Sequence, residues 1–131
     1  MTDTCKNRLS IIIPAHNEAE NLTPCITGIE KSLGENKVDR EILVVNDNST
    51  DNTKDVLENL CQQFKSLKVI ENTSENGFGR AVRLGLNSFS GNAVAIMMAD
   101  LSDSPLDLLR YWEKLQEGHE CVFGSRFIAG S

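Results

Sequence analysis

Asp100 and Asp103 stand three residues apart in MMADLSDSP (97–105), where an apolar run ends just before Pro105. Carboxylates so placed can do one of two things. They can end a strand in a turn, because Asp and Ser are common turn residues. They can also hold a cation or a metal-bound phosphate, because hard cations take oxygen ligands. Comparable polar clusters follow other apolar runs: AHNE (15–18), NDNSTD (46–51) and GSR (124–126). Taken singly, each is compatible with ordinary loop chemistry, and their joint placement depends on the elements that carry them.

Those elements alternate along the chain. LSIII (9–13) is a β-branched run expected to stop at Pro14, which cannot donate to a ladder. Leu22, Cys25, Ile26, Ile29 and Leu33 recur at helical spacing. Pro24 is tolerated only in a first turn, so this helix is expected to start near Asn21 and to end at Gly34. EILVV (41–45) reads as a second strand, followed by a helix carrying Val56, Leu57, Leu60 and Phe64 on one face. LKVI (67–70) reads as a third strand, followed by a helix bearing Ala81, Val82, Leu86 and Phe89. NAVAIMM (92–98) is a fourth strand. Ser104 can cap a last helix that opens on Pro105 and buries Leu108, Leu109, Trp112 and Leu115, and ECVFG (120–124) is a fifth strand.

Strands apolar throughout imply helices on both faces of their sheet. The expected fold is therefore α/β, a doubly wound and mainly parallel sheet. In such sheets ligands bind at the carboxyl ends of the strands, which is where all four polar clusters fall. After the fifth strand come only SRFIAGS and no closing helix, as expected of part of a larger domain.

Composition narrows the function. The chain has 131 residues, 40% hydrophobic and 24% charged, which is enough for one domain with a real core. A net charge of −6 leaves no basic stripe for nucleic acid, although a nucleotide can still be met by a cation or by helix N-termini. No segment approaches the roughly 20 apolar residues of a membrane span, and MTDTCKNR lacks a signal-peptide core, so a cytoplasmic location is expected. Cysteines at 5, 25, 61 and 121 form no C-x-x-C pair and read as reduced core residues; with only His16 and His119 beside them, zinc is not expected.

No G-x-x-x-x-G-K-[ST] loop is present. Gly77-Phe78-Gly79 offers a bare G-x-G, but Val82 takes the third glycine position and six residues separate Ile70 from Gly77. A dinucleotide fingerprint starts directly after its strand, which sets a Rossmann dehydrogenase aside. A sugar nucleotidyltransferase would need a glycine-rich arginine loop after strand 1, and none is there.

Five segments in register, IIIPAHNEAENL (11–22), EILVVNDNSTDNT (41–53), ENGFGRAVRLGL (75–86), MMADLSDSP (97–105) and GSRF (124–127), resemble the family 2 glycosyltransferases. The likeness is strongest to polyprenyl-phosphate sugar transferases of the dolichol-phosphate mannose synthase type. It implies the nucleotide-sugar-binding part of a GT-A fold over 1–131, expected to be the N-terminal part of a longer chain. The resemblance lays Pro14 and Ala15 against the nucleotide, with Asn17 and Ala99 beside it and Glu18 near the ribose. Read from its position alone, Glu18 is a helix-entry acid. Asp47 would accept from the ring N–H that uracil and guanine share, while Asn46 and Asn48 stand where relatives often carry Asp or Gly. Asp51 is expected to cap the second helix.

Asp100 matches the final acid of the family's D-x-D motif and would bind Mg²⁺ or Mn²⁺; Met98 occupies the place of the first acid. Asp103 is either a second metal ligand, a group behind one, or a helix cap. Arg126 either faces the diphosphate, where a guanidinium pairs bidentately, or is a surface cation. His16 is expected to be a plain loop residue.

The implied reaction is inverting transfer of a sugar from a UDP- or GDP-sugar to an acceptor, with a polyprenyl phosphate as the lipid-phosphate candidate. Membrane contact would come only through parts outside this chain. The alternative is a nucleotide-binding module without catalysis.

Overall fold

The computed structural model describes residues 8–73, 77–91, 93–100, 104–116 and 127–128. Five strands form one sheet: β1 (Arg8–Ala15), β2 (Asp39–Asn46), β3 (Leu67–Glu71), β4 (Ala93–Ile96) and the short β5 (Phe127–Ile128). Their order is β3-β2-β1-β4-β5; the first four run parallel, and β5 pairs antiparallel to β4. The helices are α1 (Ala19–Glu35), α2 (Thr53–Gln63), α3 (Phe78–Leu86) and α4 (Pro105–Gln116). The α/β class, the parallel sheet and the helices on both faces are as expected. The strand expected at 120–124 and the Leu115 side chain lie outside the described residues.

Strand alternation divides the core into two. Leu9, Ile11, Ile13 and Ala15 of β1, with Ile42 and Val44 of β2, meet α1, α2 and α4 on one face. Ile12, Leu43, Val45, Val94 and Ile96 meet Ala81 of α3, with Val82, Leu84 and Phe89 packed alongside, on the other. Full burial of each such side chain contributes about 1.5–3 kcal/mol. Gly85 makes the close approach of α3 to the sheet possible: a Cβ there would lie 2.5 Å from Ile12 Cγ2. Leu86, expected on the buried face, is 41% exposed, because Leu84 and Gly85 are turned inward instead.

Several boundaries differ from expectation for identifiable reasons. β1 continues through Pro14. Ladder pairing with β4 ends at Ile12↔Ile96, whereas pairing with β2 runs on to Ala15↔Asn46. Ile12 turns its carbonyl to Met97 N–H on the β4 side and Ala15 turns its carbonyl to Asp47 N–H on the β2 side. By alternation, the missing N–H of Pro14 faces the β4 side beyond the ladder, where it breaks nothing.

α1 begins at Ala19, which puts Pro24 inside the helix at an exposed position, where water can satisfy the carbonyl it leaves without a partner. α1 also runs through Gly34. Lys37, at φ 56°, takes the left-handed position. Its N–H reaches Gly34 O while Val38 N–H reaches Leu33 O, a Schellman closure with both Leu33 and Val38 buried. α4 starts as expected: Ser104 Oγ accepts the Leu106 N–H at 3.1 Å and Pro105 is the first helical residue.

Candidate nucleotide-binding site

β1 is the switch point of the sheet. The chain leaves it toward β2 on one side and returns to its other side through β4, so a crevice opens past the carboxyl ends of β1 and β4. Pro14 marks the place where the two strands stop pairing. A cleft of about 340 Å³ lies there, lined by Pro14, Ala15, His16, Glu18, Asp47, Gly77 and Met98. Sequence positions from 14 to 98 thus meet at one edge because four parallel strands deliver their C-termini to it.

Asp47 is the best-held side chain of the cleft. Its backbone N–H donates to Ala15 O at 2.7 Å and its carbonyl lies 2.6 Å from His16 Nδ1. Its carboxylate accepts Asn72 Nδ2 at 2.7 Å on Oδ1 and the Gly77 N–H at 2.9 Å on Oδ2. Four anchors, two where β1 passes into α1 and two between β3 and α3, therefore fix a buried acid. An ionised carboxylate has about four acceptor sites, so two remain for a ligand. Gly77, at φ 156°, opens α3 in a backbone conformation that L side chains rarely adopt.

The β1–α1 turn is clamped to the β2–α2 loop by Asn17. Asn17 N–H donates to Ser49 Oγ at 3.0 Å, and its side-chain Oδ1 accepts the N–H of Thr50 at 2.7 Å and of Asp51 at 3.2 Å. Asn17 and Asn48 both sit at φ 54°, which Asn tolerates better than most residues. Asp51 Oδ1 in turn accepts both the hydroxyl and the N–H of Thr53, the first residue of α2. The Thr53 hydroxyl leads the interactions that hold the Asp51 carboxyl below its ordinary range. The N-cap position itself falls on Asn52 rather than on the expected Asp51, and Asp51 ties down the start of α2 from one residue before it.

Glu18 stands at the entry of α1 and also borders the cleft. Its carbonyl accepts the N–H of Asn21 and Leu22 at the entry of α1, its Oε1 accepts Asn21 Nδ2 at 3.0 Å, and it lines the cleft. Pro14 and Ala15 line the cleft as well. The Ala99 side chain is buried in the main core, and Asp100, just past β4, is exposed. Asp103 and Arg126 lie outside the described residues.

Some participants were not legible beforehand. His16, read as a plain loop residue, lines the cleft and holds Asp47. Asn72 and Gly77 grip the Asp47 carboxylate across the sheet edge, and only the run of Asn and Gly after strand 3 hinted at a loop of special shape. Glu41, inside a segment read as an apolar strand, is buried at the opposite edge. Its Oε2 accepts Ser10 Oγ at 2.7 Å and Ser90 N–H at 2.8 Å, and its Oε1 accepts Lys68 Nζ at 3.2 Å. Burial raises this carboxyl, and hydrogen bonds from the Ser90 N–H, Ser10, Lys68 and the Ser90 hydroxyl outweigh it, leaving the pKa lowered.

Among the described residues no cluster of three His, Cys, Asp or Glu could hold a metal ion by itself. Asp100, two residues beyond the cleft-lining Met98 and not itself part of the lining, would offer hard oxygen donors, whereas the Met98 thioether is soft and suits neither Mg²⁺ nor Mn²⁺. A single carboxylate still fits a cation that takes its remaining ligands from phosphates and water. No described helix is long and apolar enough to cross a membrane.

The family model described as "Glycosyl transferase family 2" matches residues 10–131. The chain belongs to glycosyl transferase family 2. Among curated relatives, a dolichol-phosphate mannosyltransferase of Pyrococcus furiosus is 34% identical over 123 residues, covering 94% of this chain and 34% of the relative. A dolichol-phosphate mannosyltransferase of Saccharomyces cerevisiae is 29% identical over 122 residues, covering 92% of this chain and 45% of that protein. The family 2 chain thus spans about a third to under half of these relatives.

Among solved structures, a mannosyltransferase from Pyrobaculum calidifontis in complex with GDP-Man and Mn²⁺ aligns with TM-score 0.64 at 27% identity, over 74% of this chain and 28% of its own. The fold of glucosyl-3-phosphoglycerate synthase from Mycobacterium tuberculosis aligns at TM-score 0.70 and 24% identity, over 88% of this chain and 42% of that one.

Proposed function

We propose that the cleft binds the nucleotide of a UDP- or GDP-sugar, and that in the complete enzyme this domain carries an inverting transfer of the sugar to an acceptor, a polyprenyl phosphate being the lipid-phosphate candidate. The observation that carries the reading is the cleft at the β1/β4 switch point, with Asp47 and Glu18 on its wall, in a family 2 chain. The names of the mannosyltransferase relatives support the lipid-phosphate class.

In this reading Asp47 accepts the ring N–H of uracil or guanine, Glu18 accepts from ribose hydroxyls, and the Pro14–Ala15 backbone supports the nucleoside. Asp100 holds Mg²⁺ or Mn²⁺ together with the diphosphate, as supported by the Mn²⁺ in the Pyrobaculum complex. When bound, the ion supplies Lewis-acid stabilisation of the departing diphosphate. Arg126 adds a guanidinium to the same charge, and Asp103 is a further candidate ligand. The acceptor oxygen attacks the anomeric carbon on the face opposite the leaving diphosphate. An ionised phosphate acceptor needs no general base.

Met98 at the cleft wall favours one other reading, a domain that binds the nucleotide without turning it over by itself.

Calorimetric titration of UDP and GDP with and without Mn²⁺ tests the assignment. Binding should tighten with Mn²⁺, and Asp100→Ala should remove that gain. An unchanged Mn²⁺ effect in Asp100→Ala would overturn the metal assignment. Sugar transfer by this chain alone would eliminate the binding-only reading.

A further inference from the structure

We propose that His16 is a positioning residue that sets the orientation of Asp47 and thereby the discrimination among nucleobases; this rests on the reading of the cleft as a nucleotide site. A carbonyl oxygen can only accept, so the 2.6 Å contact between His16 Nδ1 and Asp47 O makes Nδ1 the protonated nitrogen. The Asn17 amide agrees with that tautomer. Its Oδ1 faces the N–H groups of Thr50 and Asp51, which turns its Nδ2 toward His16 Nε2, 3.4 Å away, as a donor meeting a lone pair.

The result for Asp47 is specific. Both of its own peptide groups are held by the β1–α1 turn, the N–H by Ala15 O and the C=O by the His16 ring. The next residue, Asn48, turns into the left-handed region at φ 54°, so the Asp47 carbonyl stands at a sharp bend rather than in a ladder. No strand neighbour holds that carbonyl, because the β1–β2 register ends at Ala15↔Asn46. The His16 side chain replaces the missing rung. The Asp47 carboxylate hangs from this peptide and faces the cleft that His16 also lines. Freeing the carbonyl removes one of the four anchors and lets the peptide tilt, which turns the still-anchored carboxylate away from its set direction and weakens a directional contact to a base edge more than a contact to phosphate.

The test is calorimetric binding of UDP, GDP, CDP and ADP to the full 131-residue chain and to three variants. His16→Ala and His16→Phe remove the donor; His16→Asn restores an N–H where Nδ1 stood. The expected result is a loss of about tenfold in the preference for the favoured ring-N–H base over CDP and ADP in His16→Ala and His16→Phe, the equivalent of one hydrogen bond. His16→Asn should recover most of that preference. Thermal midpoints of the unliganded variants separate folding from recognition. Preference retained in His16→Ala, or an equal loss for all four diphosphates, would overturn the positioning role. A wild-type chain that binds all four alike would overturn the base-contact reading itself, and the His16 role with it.

Discussion

The carboxylate of Asp47 accepts the Gly77 N–H at 2.9 Å, joining the carboxyl end of β2 to the amino end of α3 across the cleft. The same acid accepts Asn72 Nδ2 at 2.7 Å, so it closes the edge of the sheet beside the cleft. Asp47→Asn replaces one acceptor oxygen by an NH₂ that must face either Gly77 N–H or Asn72 Nδ2. The expected loss of stability is about 1–3 kcal/mol by urea denaturation, with nucleotide affinity falling at the same time. Full stability in this variant would show that the two hydrogen bonds do not hold the loop.

Glu41 makes stability depend on pH in a direction fixed by its environment. Its folded pKa lies below the ordinary 4.5, so the unfolded chain takes up the proton first as the pH falls. The stabilisation is complete above about 4.5 and is lost as pH drops through the lower folded value. Glu41→Gln should cost about 1–3 kcal/mol at neutral pH, because Ser10, Ser90 and Lys68 lose their charged acceptor. Urea denaturation of both proteins between about pH 6 and pH 3 should show the gap narrowing toward the acid end. A gap independent of pH would contradict the assignment.

Asn46 and Glu71 explain each other. Asn46 Nδ2 lies 3.2 Å from Glu71 Oε1 and 3.4 Å from Oε2, at a buried position in register with Glu71. An aspartate at 46 would set a buried carboxylate against the Glu71 carboxylate, and the repulsion disfavours ionisation of the buried one. Asn46→Asp should therefore lower the thermal midpoint at neutral pH, and adding Glu71→Gln should recover most of it, a coupling that a double-mutant cycle reads directly. Additive losses would rule out the pairing.

Gly85→Ala tests the packing of α3. The new Cβ would meet Ile12 Cγ2 at 2.5 Å in a core without slack, an overpacking cost of about 1–3 kcal/mol. Ile12→Ala in the same chain should remove the clash, so that the pair of changes costs less than the sum. Simple additivity would mean that α3 shifts freely.

The alternation of apolar runs made the order of elements and the parallel sheet legible, because buried strands and amphipathic helices have different periods. The edge carrying the cleft was legible in part: AHNE, NDNSTD and the start of ADLSD follow β1, β2 and β4, while GSR lies outside the described residues. Boundaries were less so. Pro14 reads as a strand terminator, and only the sheet order shows that its missing N–H faces a neighbour that has already departed. Lys37 closing α1 in place of Gly34 depends on a backbone angle that the residue type does not announce. His16, Asn72 and Glu41 were illegible as partners because each acts across 25 to 49 residues of sequence, through contacts that exist only once the sheet is assembled.

The proposed function requires the cleft at the β1/β4 crevice to take a nucleoside diphosphate with a divalent cation. Thermal unfolding of the chain with UDP, GDP and ADP, each with and without Mn²⁺, tests it most directly. At a ligand concentration about 100 times Kd, binding adds roughly 2.7 kcal/mol, a rise of several degrees. The expected result is a Mn²⁺-dependent rise with UDP or GDP and a smaller one or none with ADP. An unmoved midpoint with all three, or equal shifts for all three with no effect of Mn²⁺, would contradict it.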